Sequence, residues 1–191
     1  MTNDKLPKHI GMIAVGSGLI AALLYLLMIN VTLAHIEDAS GHVPFDMRPF
    51  GYDPIFVETL LEALGVDGRR YYFSRQIALD TFYPAALAST LIATFCWFGR
   101  RTPNANAIRI GIVFSIGSAL FDYFENLGIA TMIWSWPEVS VPLVYAASTA
   151  TILKSVSTTA AVMLLFWVGM FWIWQSKVVR HSKRDHSRLA L

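Results

Sequence analysis

Four long apolar segments decide what this chain can fold into. They cover residues 10–33, 75–98, 108–134 and 145–174, and each holds the roughly 20 residues that a helix needs to cross a hydrocarbon core. Only 15% of the 191 residues are charged, whereas a soluble domain carries about 25%. The sequence therefore predicts an all-α integral membrane four-helix bundle, with residues 1–191 forming a single transmembrane domain. The first segment could instead be a signal peptide, but its apolar run is longer than the roughly 7–15 residues typical of one.

The charges between these segments predict how the bundle is oriented. Basic residues precede the first segment, separate the second from the third, and follow the fourth: Lys5 and Lys8, then Arg100, Arg101 and Arg109, then Lys177, Arg180, Lys183, Arg184 and Arg188 in the tail 175–191. The other two connections are acidic. Because Lys and Arg are enriched on the cytoplasmic side, we expect a multi-pass protein of the cell inner (plasma) membrane with both termini cytoplasmic.

Residues 34–74, which we call the cap, are expected on the outer side and carry helix signals of their own. Asp53 and Pro54 are typical of a helix N-cap and first turn, and Gly65 of the residue just past a helix end. Apolar residues recur between them at helical spacing, and Glu58 and Glu62 occupy other positions. The cap should therefore contain a short amphipathic helix. We expect it to cover the bundle, although it could also lie in the headgroup layer or contact a partner.

Charged residues inside the apolar segments are the most informative for function. Asp80 lies in the second segment, Asp122, Glu125 and Asn126 in the third, and Lys154 in the fourth. A charge at the centre of a membrane helix costs about 2.5–3.5 kcal/mol, so these groups should face one another. The helical period supports this arrangement, because small or polar residues form one stripe on the third segment and another on the fourth. Further hydrogen bonds are expected from Asn30, Tyr83, Thr151, Ser155 and Thr158.

The balance of charge in this cluster favours a binding site in the outer half of the bilayer. Three carboxyl groups face one ammonium group, so either a carboxyl is protonated or a cation joins the cluster. We therefore predict a site that binds or conducts a proton, a cation or a small polar ligand, with Asp80 at its entrance. Two alternatives remain open. The cluster could be a structural polar core, and the protein could be a non-catalytic accessory or assembly subunit of a larger membrane complex.

No catalytic, metal or cofactor site is predicted, and an enzyme is less favoured than a binding protein. None of the five histidines lies mid-membrane, and there is no HExxH or Gly-x-Ser-x-Gly motif. One cysteine excludes an internal disulfide. A net charge of +2 is too small for nucleic-acid binding by phosphate neutralisation. The expected partners are membrane lipid and either a larger membrane complex or further copies of this chain.

Several of these residues together resemble a group of uncharacterised bacterial four-helix integral membrane proteins. The resemblance rests on Phe50-Gly51-Tyr52, Leu64-Gly65, Gly68-Arg69, Asp80 with Pro84, the Asp-x-x-Glu-Asn element formed by Asp122, Glu125 and Asn126, and Lys154. It extends over residues 45–155. The resemblance implies an inner-membrane location and the polar cluster as a shared feature, and it implies no activity.

Overall fold

A computed structural model describes residues 9–102 and 104–189, with side chains described for 9–102 and 104–175. The described chain forms five helices and no strand: α1 (Ile10–Ser40), α2 (Pro54–Ala63), α3 (Gly65–Gly99), α4 (Ala105–Ser135) and α5 (Val141–Leu189). Four of them, α1, α3, α4 and α5, are long and apolar enough to cross a membrane. The predicted all-α membrane bundle with a short extra helix is confirmed.

The helices pack in chain order. α1 packs on α3, α3 on α4, and α4 on α5, whereas α1 makes few contacts with α5. We call the end of the bundle that carries the cap the cap end, and the opposite end, with residues 100–104, the tail end. Lys5, Lys8 and the basic side chains from Lys177 to Arg188 lie outside the described residues. Because α1 makes few contacts with α5, the bundle has an open side between these two helices.

α4 is held tightly at the centre by two glycines. A Cβ at Gly111 would overlap the ring of Phe95 on α3, and a Cβ at Gly128 would overlap Ala147 on α5. Such close approach of backbones is the usual role of small residues between membrane helices. The buried face of α4 is thus pressed against both neighbours, and its polar side chains face protein rather than lipid.

Two helices depart from regular α-helix beside the polar cluster. α1 contains a π-helical turn at Met28–Thr32, and α3 contains one at Tyr72–Gln76. The two turns touch, because the Thr32 hydroxyl donates a hydrogen bond to Oε1 of Gln76. α3 is also interrupted at residues 81–82, just before Pro84. Turns of the π type often mark functional sites.

The cap covers one end of the bundle. Oδ1 of Asp53 accepts a hydrogen bond from the Phe56 amide at 2.8 Å, which gives α2 its N-cap. Gly65, with a φ of 60°, makes the turn from α2 into α3. Buried α2 side chains belong to the same apolar cluster as α4 and α5 side chains; these are Val57, Leu60 and Leu61 with Ile129, Met132 and Val144. α3 begins ten residues before the predicted segment 75–98, because the chain stays helical from Gly65 onward.

Candidate functional site

Lys154 lies between two buried carboxylates of the neighbouring helix. Its Nζ is 3.3 Å from Oδ1 of Asp122, and it forms an ion pair with Oε2 of Glu125. Glu125 is fully buried, and its other oxygen accepts a hydrogen bond from the Thr151 hydroxyl at 2.7 Å. The facing stripes predicted on the third and fourth membrane segments therefore bring Asp122, Glu125, Thr151 and Lys154 together. The charge of Lys154 is shared by two carboxylates.

Asp80 and Asn126 meet across the interruption in α3. Pro84 has no amide hydrogen, so the carbonyl of Asp80 lacks its helical donor. The side-chain amide of Asn126 replaces that donor, with Nδ2 at 3.1 Å from the Asp80 carbonyl oxygen. α4 makes a second contact of this kind, since the Tyr123 hydroxyl donates to the carbonyl of Thr81 at 3.1 Å. Side chains of α4 thus donate hydrogen bonds to the backbone carbonyl groups at the break in α3.

Asp80 is buried, and one oxygen of its carboxyl group has no hydrogen-bond partner in the part of the chain that the structure describes. Asp80 is only 2% exposed, and its Oδ2 has no hydrogen-bond partner among the described residues. The same holds for Oδ1 of the buried Asn126. A buried polar atom is normally hydrogen-bonded to protein or water, and an exception needs an explanation.

A cavity of about 400 Å³ lies beside these groups, between α1, the cap, α3, α4 and α5. Its polar lining comprises Asp46, Asp80, Tyr83, Asp122, Lys154 and Thr158. Counting along α4 and α5 from their ends, Asp122 and Lys154 both lie roughly 20 Å from the cap end. We call this the acidic cavity.

Asp46 is a member of the site that the sequence did not reveal. It lies in the cap, in a short 3₁₀ turn at Phe45–Met47. Its Oδ2 accepts a hydrogen bond from the Tyr72 hydroxyl, and its Oδ1 accepts one from Nε2 of Gln76 at 3.3 Å. Both donors belong to the π-helical turn of α3 and are fully buried. Periodicity could not find Asp46, because its position depends on these contacts with residues 26 and 30 positions away.

Tyr52, next to the acidic cavity, is also fixed by the fold. Its amide donates to the Ser148 hydroxyl of α5 at 2.8 Å. The preceding Gly51 has a φ of 83°, and a Cβ there would overlap the same hydroxyl. Burial raises the pKa of the Tyr52 phenol, and the negative charge of Glu125 raises it further. Tyr52 therefore stays a neutral phenol beside the Glu125 carboxylate.

Of the five supporting residues predicted, four lie at the site and one does not. Tyr83, Ser155 and Thr158 line the acidic cavity, and Thr151 bonds Glu125. Asn30 is exposed, and its Nδ2 donates to the carbonyl of Leu26 in its own helix at 2.8 Å. α1 presents Tyr25, Met28, Ile29 and Leu33 to the cavity, whereas Asn30 lies on another, exposed face of the same helix. The expectation that Asn30 joins the cluster was wrong for this reason.

No protein-family model, no curated protein and no solved structure matches this chain. Among the described residues, no group of three or more His, Cys, Asp or Glu side chains is arranged to hold a metal ion. The acidic groups instead surround a cavity.

Proposed function

We propose that this protein binds a positively charged ligand, either a cation or a small protonated polar molecule, in the acidic cavity. The observation that carries the proposal is Asp80, a buried residue that lines the cavity and has one carboxylate oxygen, Oδ2, without a hydrogen-bond partner in the described chain. Burying an ionised carboxylate without a counter-charge is costly. Either a proton or a bound cation has to offset that cost.

The distribution of charge around the cavity supports the same proposal. Lys154 is the one cation that forms ion pairs with the cluster among the described residues, and it is shared by Asp122 and Glu125. Asp80 and Asp46 lie outside those ion pairs. Asp46 accepts hydrogen bonds from neutral groups only. A ligand with one positive charge would therefore meet two carboxylates that have no internal counter-charge.

The size of the cavity favours a small organic cation over a bare ion. Ligand-binding pockets in proteins measure about 300–1,000 Å³, and the acidic cavity measures about 400 Å³. One water molecule takes up about 30 Å³ of liquid volume, so the space exceeds what a single ion requires. Tyr83 and Thr158 add hydroxyl groups to the lining that can accept hydrogen bonds from an ammonium group.

The test is stabilisation by methylammonium, measured as the free energy of unfolding of the full chain in nanodiscs. At roughly 100 times Kd, a ligand that binds only the folded protein stabilises it by about 2.7 kcal/mol. We expect this gain in the wild type and its loss in Asp80→Asn, which removes the charge and keeps the backbone carbonyl that Asn126 contacts.

Asp38→Asn is the matched control, because Asp38 is an exposed acid at the cap end. It should respond to methylammonium like the wild type. If Asp80→Asn folds and gains as much stability as the wild type, the ligand does not depend on Asp80. The proposal that the ligand binds beside Asp80 would then be contradicted.

We further propose that the cap end faces outward and the tail end faces the cytoplasm, in an inner membrane. In the sequence, ten Lys and Arg residues lie within residues 1–9, 99–109 and 175–191, whereas the cap contains three, Arg48, Arg69 and Arg70. This asymmetry follows the positive-inside rule. The acidic cavity would then lie nearer the outer side.

A further inference from the structure

A second cavity lies on the same side of the bundle, toward the tail end. It measures about 310 Å³ and is lined by side chains of two helices: Thr94 and Phe98 of α3, and Leu165, Phe166, Met170 and Ile173 of α5, together with the backbone at Gly169. Apart from the Thr94 hydroxyl, these side chains are apolar. We call this the apolar pocket.

The acidic cavity and the apolar pocket lie along one seam between α3 and α5. On α3, Leu87 lines the acidic cavity and Thr94, seven residues later, lines the apolar pocket. On α5, Thr158 and Leu165 stand in the same relation. Residues seven apart share a helix face and are about 10 Å apart along the axis. The seam therefore has acidic groups at one level and an apolar surface about 10 Å farther toward the tail end.

This seam faces the open side of the bundle. α1 packs on α3 but makes few contacts with α5, so it does not close the seam. Residues at the edge of the seam are open to the surroundings: Tyr25 of α1 is 47% exposed, and Phe166 and Met170 of α5 are 72% and 70% exposed. In a membrane, this side faces lipid hydrocarbon.

Side chains of the cap and of the tail end flank the two ends of the opening. At the cap end, Met47 and Pro49 of the cap line the acidic cavity. At the tail end, Trp172 of α5 packs against Trp97 and Phe98 of α3, with ring centroids 5.7 Å and 6.1 Å apart. The opening extends laterally between α1 and α5, where the exposed Tyr25 and Phe166 face the membrane interior.

We infer that the ligand is a single-chain amphiphile with a protonated amine head, which enters from the lipid between α1 and α5. Its head lies beside Asp80 in the acidic cavity, and its tail follows the α3–α5 seam into the apolar pocket. The inference rests on the proposed cation site, and charge complementarity selects the head: Asp46 and Asp80 lie outside the ion pairs of Lys154. The apolar pocket selects the tail, because its lining offers little for a polar group to bind.

The test compares three probes on the full chain in nanodiscs, with the midpoint of thermal unfolding as readout. Dodecylamine carries both charge and tail, dodecanol carries the tail only, and methylammonium carries the charge only. We expect dodecylamine to raise the midpoint at a concentration more than about tenfold below that of methylammonium, because its tail concentrates it in the bilayer from which the site is entered. We expect no rise with dodecanol, and no rise with dodecylamine in Asp80→Asn.

A variant that fills the apolar pocket separates the tail site from simple partition into lipid. Gly169→Leu adds a side chain inside the pocket, where a Cβ lies 3.5 Å from the Phe98 ring. It should raise the required dodecylamine concentration by about tenfold and leave the methylammonium response unchanged. Gly16→Leu is the matched control, since a Cβ at Gly16 meets open space on α1. Met170→Trp, at an exposed position of the same pocket, serves in place of Gly169→Leu if that variant does not fold.

Two results would overturn the inference and leave the cation site standing. One is a dodecylamine response in the pocket-filling variant equal to that of the wild type, while methylammonium still stabilises both. The other is equal stabilisation by dodecylamine and dodecanol. If neither methylammonium nor dodecylamine stabilises the wild type, the proposed function itself is contradicted.

Discussion

Lys154 is the residue on which the charge balance of the site depends. Its ammonium group is the internal counter-charge for Asp122 and Glu125, which are 3% and 0% exposed. Removing one partner of a buried ion pair leaves an uncompensated charge and costs about 3–5 kcal/mol. We therefore expect Lys154→Met to lower the free energy of unfolding by about that amount, as measured by chemical denaturation in mixed micelles.

A double variant that loses one positive and one negative charge is the control for this prediction. Lys154→Met combined with Glu125→Gln removes a charge from each side and keeps the Thr151 hydroxyl within reach of an acceptor. It should recover part of the lost stability and not all of it, because Asp122 remains buried without its counter-charge. The double variant could instead lose as much free energy of unfolding as the two single variants lose in sum. That result would show that Lys154 and Glu125 do not stabilise one another.

At the scale of the element, a side chain of α4 replaces the backbone donor that a proline removes at the interruption of α3. Asn126→Leu removes the donor that satisfies the Asp80 carbonyl, and a buried acceptor left without a partner costs about 1–3 kcal/mol. In a Pro84→Ala background the new amide can take over that carbonyl. We expect Asn126→Leu to cost less there, in a double-mutant cycle on the free energy of unfolding. Equal costs in the two backgrounds would show that Asn126 does not substitute for the missing amide.

The same elements show which parts of the structure could be predicted. Helical periodicity was enough to bring Asp122, Glu125 and Lys154 onto facing helices, because contacts between straight helices follow the period of 3.6 residues. Local chemistry was enough for α2, whose start depends on Asp53 and Pro54 alone. These features depend on a few neighbouring residues.

The remainder depended on contacts that no local pattern encodes. Asp46 reaches the site through Tyr72 and Gln76, which lie in a π-helical turn of a distant segment. The face that α1 presents to α3 is another case. The Ser17 hydroxyl of α1 accepts a hydrogen bond from the Thr90 hydroxyl of α3 at 3.0 Å, and no local pattern pairs these two residues. Spacing identifies a possible face, and only packing decides which face is used.

At the scale of the whole molecule, the orientation of the bundle decides which side of the membrane lies nearer to the acidic cavity. In a Cys96→Ser background, Glu58→Cys places one exposed thiol on the cap and Asn106→Cys places one at the tail end. We expect a membrane-impermeant maleimide to label the first in intact cells, and the second only after permeabilisation, because the positive-inside rule places the connection with Arg100 and Arg101 in the cytoplasm. The reverse labelling pattern would contradict the proposed orientation and leave the geometry of the site unchanged.

The central claim is that the acidic cavity accepts a positively charged group beside Asp80. Diffraction from crystals grown with 2-bromoethylammonium measures this most directly, because bromine gives an anomalous signal. We predict a bromine peak inside the acidic cavity, with the ammonium nitrogen about 2.8 Å from a carboxylate oxygen of Asp80, and no peak in Asp80→Asn. A cavity that contains only ordered water bonded to Asp80, identical in the wild type and the variant, would contradict the claim.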